Sequence, residues 1–349
     1  MQISMILKYP ILTMLSIGKK SFENMGQLIE RSGDTVARLL NPSAISLVES
    51  RFICKSMFKK RSKLFVIIDD TLIKKIHSKF MQGAGMFFDT KIGKRIMAYR
   101  LVAGIITDGK FAIPIDCAYL FAKELIDATN RKFPTKDEIA ENFIRTAQKL
   151  FPDIKLIILV DGLYATVNFL KWCIDRKISL EARMHSNRVV KYRGKKIKIK
   201  NLLPIDGISP CGRQMARTIS VVWYEMKLEL TIVRRIDKND DESFVFQIAT
   251  YKAKPSEHLN NYKKRWPVEK FFRTTKQYLG LQECFSRVFE TQQDHVASVF
   301  LAYSLAQLDM KKYKLKTPED ALKRAKTRNV TFTINKFARF HKDFSNVHA

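Results

Sequence analysis

The sequence of 349 residues has few cysteines, few acidic residues and no long apolar run. Its five cysteines are odd in number, lie far apart and include no C-x-x-C pair, which argues against a disulfide framework and a structural zinc site. No stretch approaches about 20 apolar residues, so neither a membrane-spanning helix nor a membrane partner is expected. The short apolar stretch 11–17 lacks a cleavage site and does not favour a signal peptide. These features predict a cytoplasmic or nucleoid-associated protein.

Positive charge is the feature that the composition has in excess. Lys and Arg total 63 against 34 Asp and Glu, a formal net charge of +29. Such a charge is tolerated when the partner is a polyanion, so nucleic acid is expected ahead of an anionic membrane surface. Hydrophobic residues make up 46% of the chain, enough to bury a core, which excludes a disordered protein. Charge alone does not separate an enzyme from a binding protein.

Changes in residue pattern divide the chain into five segments. We expect a helical N-terminal region, the first part of a main α/β domain, a β-rich insertion, a helical last part of the main domain and a basic C-terminal tail. The segments are 1–60, 61–185, 186–252, 253–312 and 313–349.

The N-terminal segment has helical periodicity on both sides of a break at Ser32 and Gly33, with Asp34 as the expected N-cap of the second helix. A helix, a glycine-containing turn and a second helix together are typical of a helix-turn-helix. Two interpretations stay open: the pair contacts DNA, or it is a small bundle that packs on the main domain.

Two buried strands of the main domain are followed by acids. The apolar run 64–68 is predicted to end at Asp69 and Asp70, and the run 156–160 to end at Asp161. With a hairpin and helices between and after them, these strands predict a mixed sheet flanked by helices. Acids at such strand ends lie where α/β sheets place reactive groups, although for each aspartate alone a turn or N-cap role is the better interpretation.

A basic hairpin is predicted within the insertion. Residues 188–200 alternate basic and apolar side chains around Gly194, a pattern typical of two strands with one cationic face. Arg193, Lys195 and Lys196 would then grip a DNA backbone without reading its sequence. The alternative is an ordinary solvated hairpin.

Four polar residues in the last part of the main domain are spaced to share one helical face. They lie within an arc of about 60° at 100° per residue. Pro267 is awkward in such a helix, because it removes a backbone donor and favours a helix start, so two of the four residues are expected to precede the regular helix. The four residues are Tyr262, Arg265, Glu269 and Lys276.

This spacing, Tyr-x2-Arg-x3-Glu-x6-Lys, resembles the signature of the bacterial DDE-type insertion-sequence transposases and matches it residue for residue. The stretches that begin at Asp69 and Asp161 look like the first and second acid motifs of that family. Glu269 would be the third acid, 108 residues after the second. The resemblance covers about residues 60–310, and Pro267 departs from it.

The resemblance implies a ribonuclease-H-like catalytic domain in which Asp69, Asp161 and Glu269 come together. These three oxygen ligands suit Mg²⁺ or Mn²⁺, and two ions are expected. The implied reaction is hydrolysis at the inverted-repeat ends of a mobile element followed by strand transfer into double-stranded target DNA. Arg265 and Lys276 would hold phosphates and Tyr262 would contact the backbone. Joining two ends suggests a homodimer in the DNA complex.

Two questions stay open. Asp69 and Asp70 are neighbours and point to opposite faces of a strand, so one of them is the first ligand; the Asp-x-Thr match favours Asp69. The same fold also occurs in metal-dependent nucleases and resolvases, which is the second possible function. A DNA-binding regulator without catalytic activity is the third.

Overall fold

The computed structural model describes residues 5–78, 80–129, 132–203, 209–211, 214–236 and 242–327. No helix in these ranges is both long and apolar enough to cross a membrane. The α-helices are α1 (Met5–Leu15), α2 (Phe22–Leu28), α3 (Gly33–Ala37), α4 (Ser43–Phe58), α5 (Lys123–Thr129), α6 (Lys136–Leu150), α7 (Val167–Asp175), α8 (Pro255–Lys263), α9 (Pro267–Tyr278), α10 (Phe289–Lys312) and α11 (Pro318–Thr327).

The described strands all belong to one mixed sheet. They are β1 (Lys63–Lys74), β2 (Gly85–Asp89), β3 (Lys94–Thr107), β4 (Ala112–Leu120), β5 (Lys155–Val160), β6 (Ser179–Met184), β7 (Val189–Tyr192), β8 (Lys195–Lys198), β9 (Ser209–Cys211), β10 (Gln214–Trp223), β11 (Met226–Ile236) and β12 (Glu242–Ala249).

The strand order is β2-β3-β1-β5-β6-β12-β11-β10-β7-β8, with β4 also paired to β3 and β9 to β10. β1 runs antiparallel to β3 and parallel to β5, and β5 runs parallel to β6. The predicted mixed sheet flanked by helices is therefore confirmed. The strands of segment 186–252 are continuous with it, because β12 pairs antiparallel with β6.

Helices cover both faces of the sheet. On one face, α6 brings Lys136 to Asp70, and on the other, the segment between α8 and α9 brings Arg265 to Asp69. Neighbouring strand residues point to opposite faces, so these two contacts define the two sides. Gly104 on β3 allows the close approach of α6, since a Cβ there would lie 2.8 Å from the Phe143 ring.

The long helix α10 supports the helix that carries the third acid. Phe271 of α9 is fully buried and packs edge to face against Phe300 and Tyr303 of α10, with ring centroids 4.9 Å apart in both pairs. α10 also packs on α4 and β4. Aromatic pairs of this geometry stabilise beyond their area burial, so they help to hold α9 against α10.

The N-terminal helices form a small apolar cluster of their own, in which Tyr9, Met25 and Val36 are buried. The expectation that Asp34 caps the second helix is wrong. Ser32 is the N-cap and its side chain accepts a hydrogen bond from the Thr35 backbone, so the helix starts two residues earlier. α3 spans only five residues, and DNA contact by α2 and α3 stays a prediction.

The stretch interpreted as a basic tail needs one correction. Residues 318–327 form α11, whose Ala321 and Leu322 are buried against α10. Thr274 of α9 donates a hydrogen bond to Glu319, which ties this helix to the helix of the third acid. The remainder of the predicted tail, 328–349, lies outside the described residues.

Candidate active site

The first acid pair lies within a strand and not at its end, which corrects the prediction that β1 stops at Asp69. The strand continues to Lys74, with Asp69 opposite Ala103 and Asp70 opposite Val102 of β3. The two carboxylates point to opposite faces. Asp70 forms an ion pair with Lys136 at 2.7 Å, whereas Asp69 faces the segment that carries Glu269.

The second acid follows β5 directly. Asp161 precedes a 3₁₀ turn over Gly162–Tyr164, but its side chain makes no capping hydrogen bond, so the N-cap alternative does not explain it. The Tyr262 hydroxyl donates to the Val160 carbonyl at 3.1 Å and is itself nearly buried. This contact fixes the backbone immediately before Asp161.

The four signature residues lie on two helices and on the turn between them, and not on one helix. α8 ends at Lys263, a turn spans 264–266, and Pro267 starts α9 as its first residue. Proline suits that position because its missing N–H would lack a helical partner there. The expectation that the four residues share the face of one helix is therefore wrong, while the expectation that Tyr262 and Arg265 precede the regular helix is correct.

Arg265 joins the first acid to the third. Its Nη1 donates to Asp69 Oδ2 at 2.9 Å, and its Nη2 donates to Glu269 Oε1 at 2.5 Å. Burial lowers the pKa of Arg265, but the nearby Tyr262 and the charges of Asp69, Glu269 and, least of all, Asp161 outweigh that effect and raise the pKa. Two of the three predicted catalytic acids, Asp69 and Glu269, thus contact one cation.

Burial raises the pKa of Asp69 to about 6. The Arg265 guanidinium and the Asp70 backbone N–H oppose that rise, and the nearby negative charges of Asp70 and Asp161 add to it. Burial and neighbouring acids disfavour the ionised form of a carboxylate, and a neighbouring cation favours it. In this arrangement Arg265 is that cation.

Lys276, the last signature residue, lies on α9 and reaches β1. Its Nζ donates to Thr71 Oγ1 at 2.6 Å, two residues beyond Asp69. Burial lowers the pKa of Lys276 to about 8, and the nearby ammonium groups of Lys91 and Lys74 lower it further while Asp89 opposes them. The lysine is thus held at Thr71 on β1, where two other lysines and only one acid, Asp89, act on its pKa.

The donor set suits a hard divalent cation, because the three acids supply only carboxylate oxygens. Within the described ranges, no three His, Cys, Asp or Glu side chains are grouped closely enough to hold a metal ion. The Arg265 guanidinium stands between Asp69 and Glu269 and contacts both. The residue types therefore fit Mg²⁺ or Mn²⁺, with Arg265 occupying the position between two of the ligands.

The predicted basic hairpin is present but remote from the acids. Arg193 and Gly194 form its two-residue turn with φ of 48° and 84°, as a type I′ hairpin requires. Arg193, Lys195 and Lys196 are all exposed. β8 is the sixth strand from β5 in the sheet order, roughly 30 Å away at the usual strand spacing.

A buried polar network beneath the site carried no local signal in the sequence. Glu181 of β6 is 1% exposed, and its Oε1 accepts hydrogen bonds from His258 Nδ1 at 3.0 Å, from Asn261 Nδ2 at 3.1 Å and from the Tyr251 hydroxyl. The network ties α8 to the middle of the sheet. It thereby fixes the helix from which Tyr262 extends.

The family of the chain follows from a sequence comparison. The family model described as "Transposase DDE domain" matches residues 60–305, which is more than half of the chain and includes all three acids. The chain therefore belongs to the DDE-domain transposases, a family that processes DNA and generally uses a divalent metal. No curated protein matches it.

One solved structure has a limited likeness to the chain. The crystal structure of the NurA nuclease from Sulfolobus solfataricus aligns with 58% of this chain and 72% of that chain, at 12% sequence identity and a TM-score of 0.28. A TM-score of this size establishes no shared fold.

Proposed function

We propose that this protein is a DNA transposase that cleaves at transposon ends in a divalent-metal-dependent reaction and transfers the strands into target DNA. The observation that carries the proposal is the double contact of Arg265 with Asp69 and Glu269. It brings together two acids that are far apart in sequence.

The strand arrangement supports a ribonuclease-H-like catalytic domain. The order β4-β3-β1-β5-β6 combines an antiparallel β1–β3–β4 unit with the parallel strands β5 and β6. Asp69 lies on β1, Asp161 directly follows the adjacent parallel strand β5, and Glu269 of α9 shares with Asp69 the contact to Arg265. In such a sheet, acids on neighbouring strands form one site.

Asp69, Asp161 and Glu269 would hold the divalent ions. When bound, these ions would supply an activated water or 3′-hydroxyl and stabilise the leaving oxygen at phosphorus. Tyr262 would keep Asp161 in position through the Val160 carbonyl. Arg265 has a planar fork of donors that matches a phosphate as well as it matches carboxylates, so the same side chain would bind the DNA backbone.

Lys276 and the hairpin would supply further phosphate contacts. Lys276 is held next to β1 by Thr71 and carries a charge that no adjacent acid fully balances. Arg193, Lys195 and Lys196 extend the cationic surface roughly 30 Å along the sheet, enough for DNA to contact both places. Because two ends are joined to one target, we also propose a homodimer in the DNA complex.

The test is incubation of the pure protein with linear DNA that carries its own flanking inverted repeats, with and without Mg²⁺. Cleavage at the repeat boundary together with joined products in the Mg²⁺ sample is the expected result. Random nicking would favour the nuclease or resolvase alternative, and DNA that is shifted but intact would favour an inactive regulator. Either of those results would overturn the proposal.

A further inference from the structure

A cavity of about 540 Å³ opens beside Glu269, between the α8–α9 segment and strands β6, β11 and β12. Tyr262, Arg265 and Glu269 form its boundary with the candidate active site. Its far wall contains residues that the transposase signature does not include. The far wall is formed mainly by Arg183, Arg235, Gln247 and Lys263.

The cavity has an excess of positive charge. Arg183, Arg235, Lys263 and Arg265 line it, whereas Glu269 is the one acid of the lining and already accepts from Arg265. Within the described part of the chain, neither Arg183 nor Arg235 forms a salt bridge or a hydrogen bond through its side chain. Guanidinium groups that face one cavity without acids repel each other and favour an anion between them.

Arg235 shows the consequence of that repulsion. Burial lowers its pKa, and the nearby charge of Arg183 lowers it further. Its Nε is buried without a hydrogen-bond partner. A buried charged donor that lacks an acceptor is costly, and a ligand with negatively charged oxygens would remove the cost.

Gln247 provides a second, independent observation. It lies directly opposite Arg183 on the neighbouring strand and is only 4% exposed. Its side-chain oxygen has no hydrogen-bond partner among the described residues. Since the two ends of an amide can be exchanged by rotation, the same side chain can present its NH₂ group to an anion in the cavity.

We propose that this cavity binds a backbone phosphate of a DNA strand, with Arg183 and Arg235 as its guanidinium donors and Gln247 as a neutral donor. Arginine suits this role because its fork of N–H groups matches two phosphate oxygens at once. The inference rests on the proposed function, because the shared wall of Arg265 and Glu269 would set the bound phosphate next to the phosphodiester that is cleaved.

The experiment compares three proteins: the wild type, the R183Q/R235Q variant and a charge-matched R145Q/R176Q control. Arg145 and Arg176 both stack on Trp172 on the opposite face of the sheet. Affinity for labelled duplex DNA is measured without Mg²⁺ over a range of salt concentrations. Because each phosphate contact contributes about 0.9 to the slope of log affinity against log salt, we expect R183Q/R235Q to lose about one unit of slope and roughly tenfold in affinity.

The control is expected to keep the wild-type slope. Equal losses of slope and affinity in both variants would mean a general effect of net charge and would overturn the inference. A wild-type slope in R183Q/R235Q would also overturn it. Binding without Mg²⁺ does not depend on cleavage, so the two proposals fail separately. If the wild type cleaves ends and R183Q/R235Q binds DNA normally, the phosphate site in the cavity is refuted and the transposase proposal stands. If R183Q/R235Q alone loses DNA affinity and the wild type cleaves no ends, the transposase proposal is refuted and the phosphate site stands.

A second measurement covers the case in which the double variant folds poorly. Inorganic phosphate at constant ionic strength should raise the melting temperature of the wild type and of R145Q/R176Q, but not that of the single variant R235Q. A stabilisation that is equal in all three proteins would contradict the inference. Phosphate stabilisation without any change in DNA affinity would show a site for free phosphate and would likewise overturn the assignment to DNA.

Discussion

Arg265 donates to Asp69 at 2.9 Å across 196 residues of sequence, and through its other terminal nitrogen it holds Glu269. The two acids are thus brought together by a cation that belongs to the same chain. A guanidinium in this position offsets the repulsion between carboxylates that burial would otherwise increase.

Replacement of Arg265 by Gln should therefore destabilise the protein in the absence of divalent metal. The half-buried acids Asp69 and Glu269 would lose their shared donor, at a cost of about 1–3 kcal/mol. Urea unfolding in EDTA measures this loss of stability. R265K is the matched variant, because it keeps the positive charge but loses the planar pair of N–H donors. Mg²⁺ should restore more stability to R265Q than to the wild type. An R265Q variant as stable as the wild type in EDTA would contradict the assigned contact.

DNA affinity should fall as the pH rises through about 8. Burial and the neighbouring lysines lower the pKa of Lys276 to about 8, so its positive charge is present below that pH and is lost above it. Binding isotherms between pH 7 and pH 9 test this at constant salt. The K276Q variant should bind more weakly at pH 7 and depend less on pH. Identical pH profiles for the two proteins would argue against contact between Lys276 and phosphate.

Stability should rise with pH between about 4 and 6.5 because of His295. This residue is fully buried between the Tyr9 hydroxyl and the Gly280 carbonyl, and burial lowers its pKa to about 4. The unfolded chain binds a proton below its ordinary pKa of about 6.5 while the folded chain does not, so acid favours unfolding by up to about 3 kcal/mol.

Denaturant unfolding at several pH values checks this contribution, and a H295Q variant is the comparison. The variant should be less stable at pH 7 and should show a smaller change between pH 6.5 and pH 4.5. If the wild type and H295Q lost equal stability over that interval, His295 would not be the group responsible.

The buried carboxylate of Glu181 should matter for folding. Three donors converge on its Oε1, from Tyr251, His258 and Asn261. Removing it in E181A would leave these buried donors without their acceptor, at a cost of about 3–5 kcal/mol. E181Q keeps the shape and one acceptor oxygen and should cost less. A urea midpoint for E181A equal to that of the wild type would show that the network is unimportant.

Local patterns were sufficient for much of the main domain. The apolar runs before Asp69 and Asp161, the turn at Gly194 and the proline at 267 each carry a short-range signal, and the strands and helices formed where that signal lies. The end of β1 was predicted too early, because its apolar run stops at Ile68. Residues beyond that point stay in the strand through their pairing with β3, which no local pattern reveals.

The contacts that depend on tertiary register were not predictable from one sequence. Arg183 and Gln247 are isolated polar residues in their strands, and only the antiparallel pairing of β6 with β12 sets them side by side. Glu181 meets its donors from α8 for the same reason. The Tyr-x2-Arg-x3-Glu-x6-Lys spacing was informative because its four residues lie in one short segment of the chain. Their relative placement therefore does not depend on how distant strands pair in the sheet.

The neighbouring residues Asp69 and Asp70 allow the most direct test of the central claim. The measurement is the rate of cleavage at the boundary of the inverted repeats in Mg²⁺ for the wild type, D69N, E269Q and D70N, with melting temperatures to verify folding. If Asp69 and Glu269 hold the metal, D69N and E269Q should lose about a thousandfold or more, while D70N, whose carboxylate faces Lys136 on the other side of the sheet, should stay within a few fold of the wild type. Activity in D69N together with its loss in folded D70N would contradict the account.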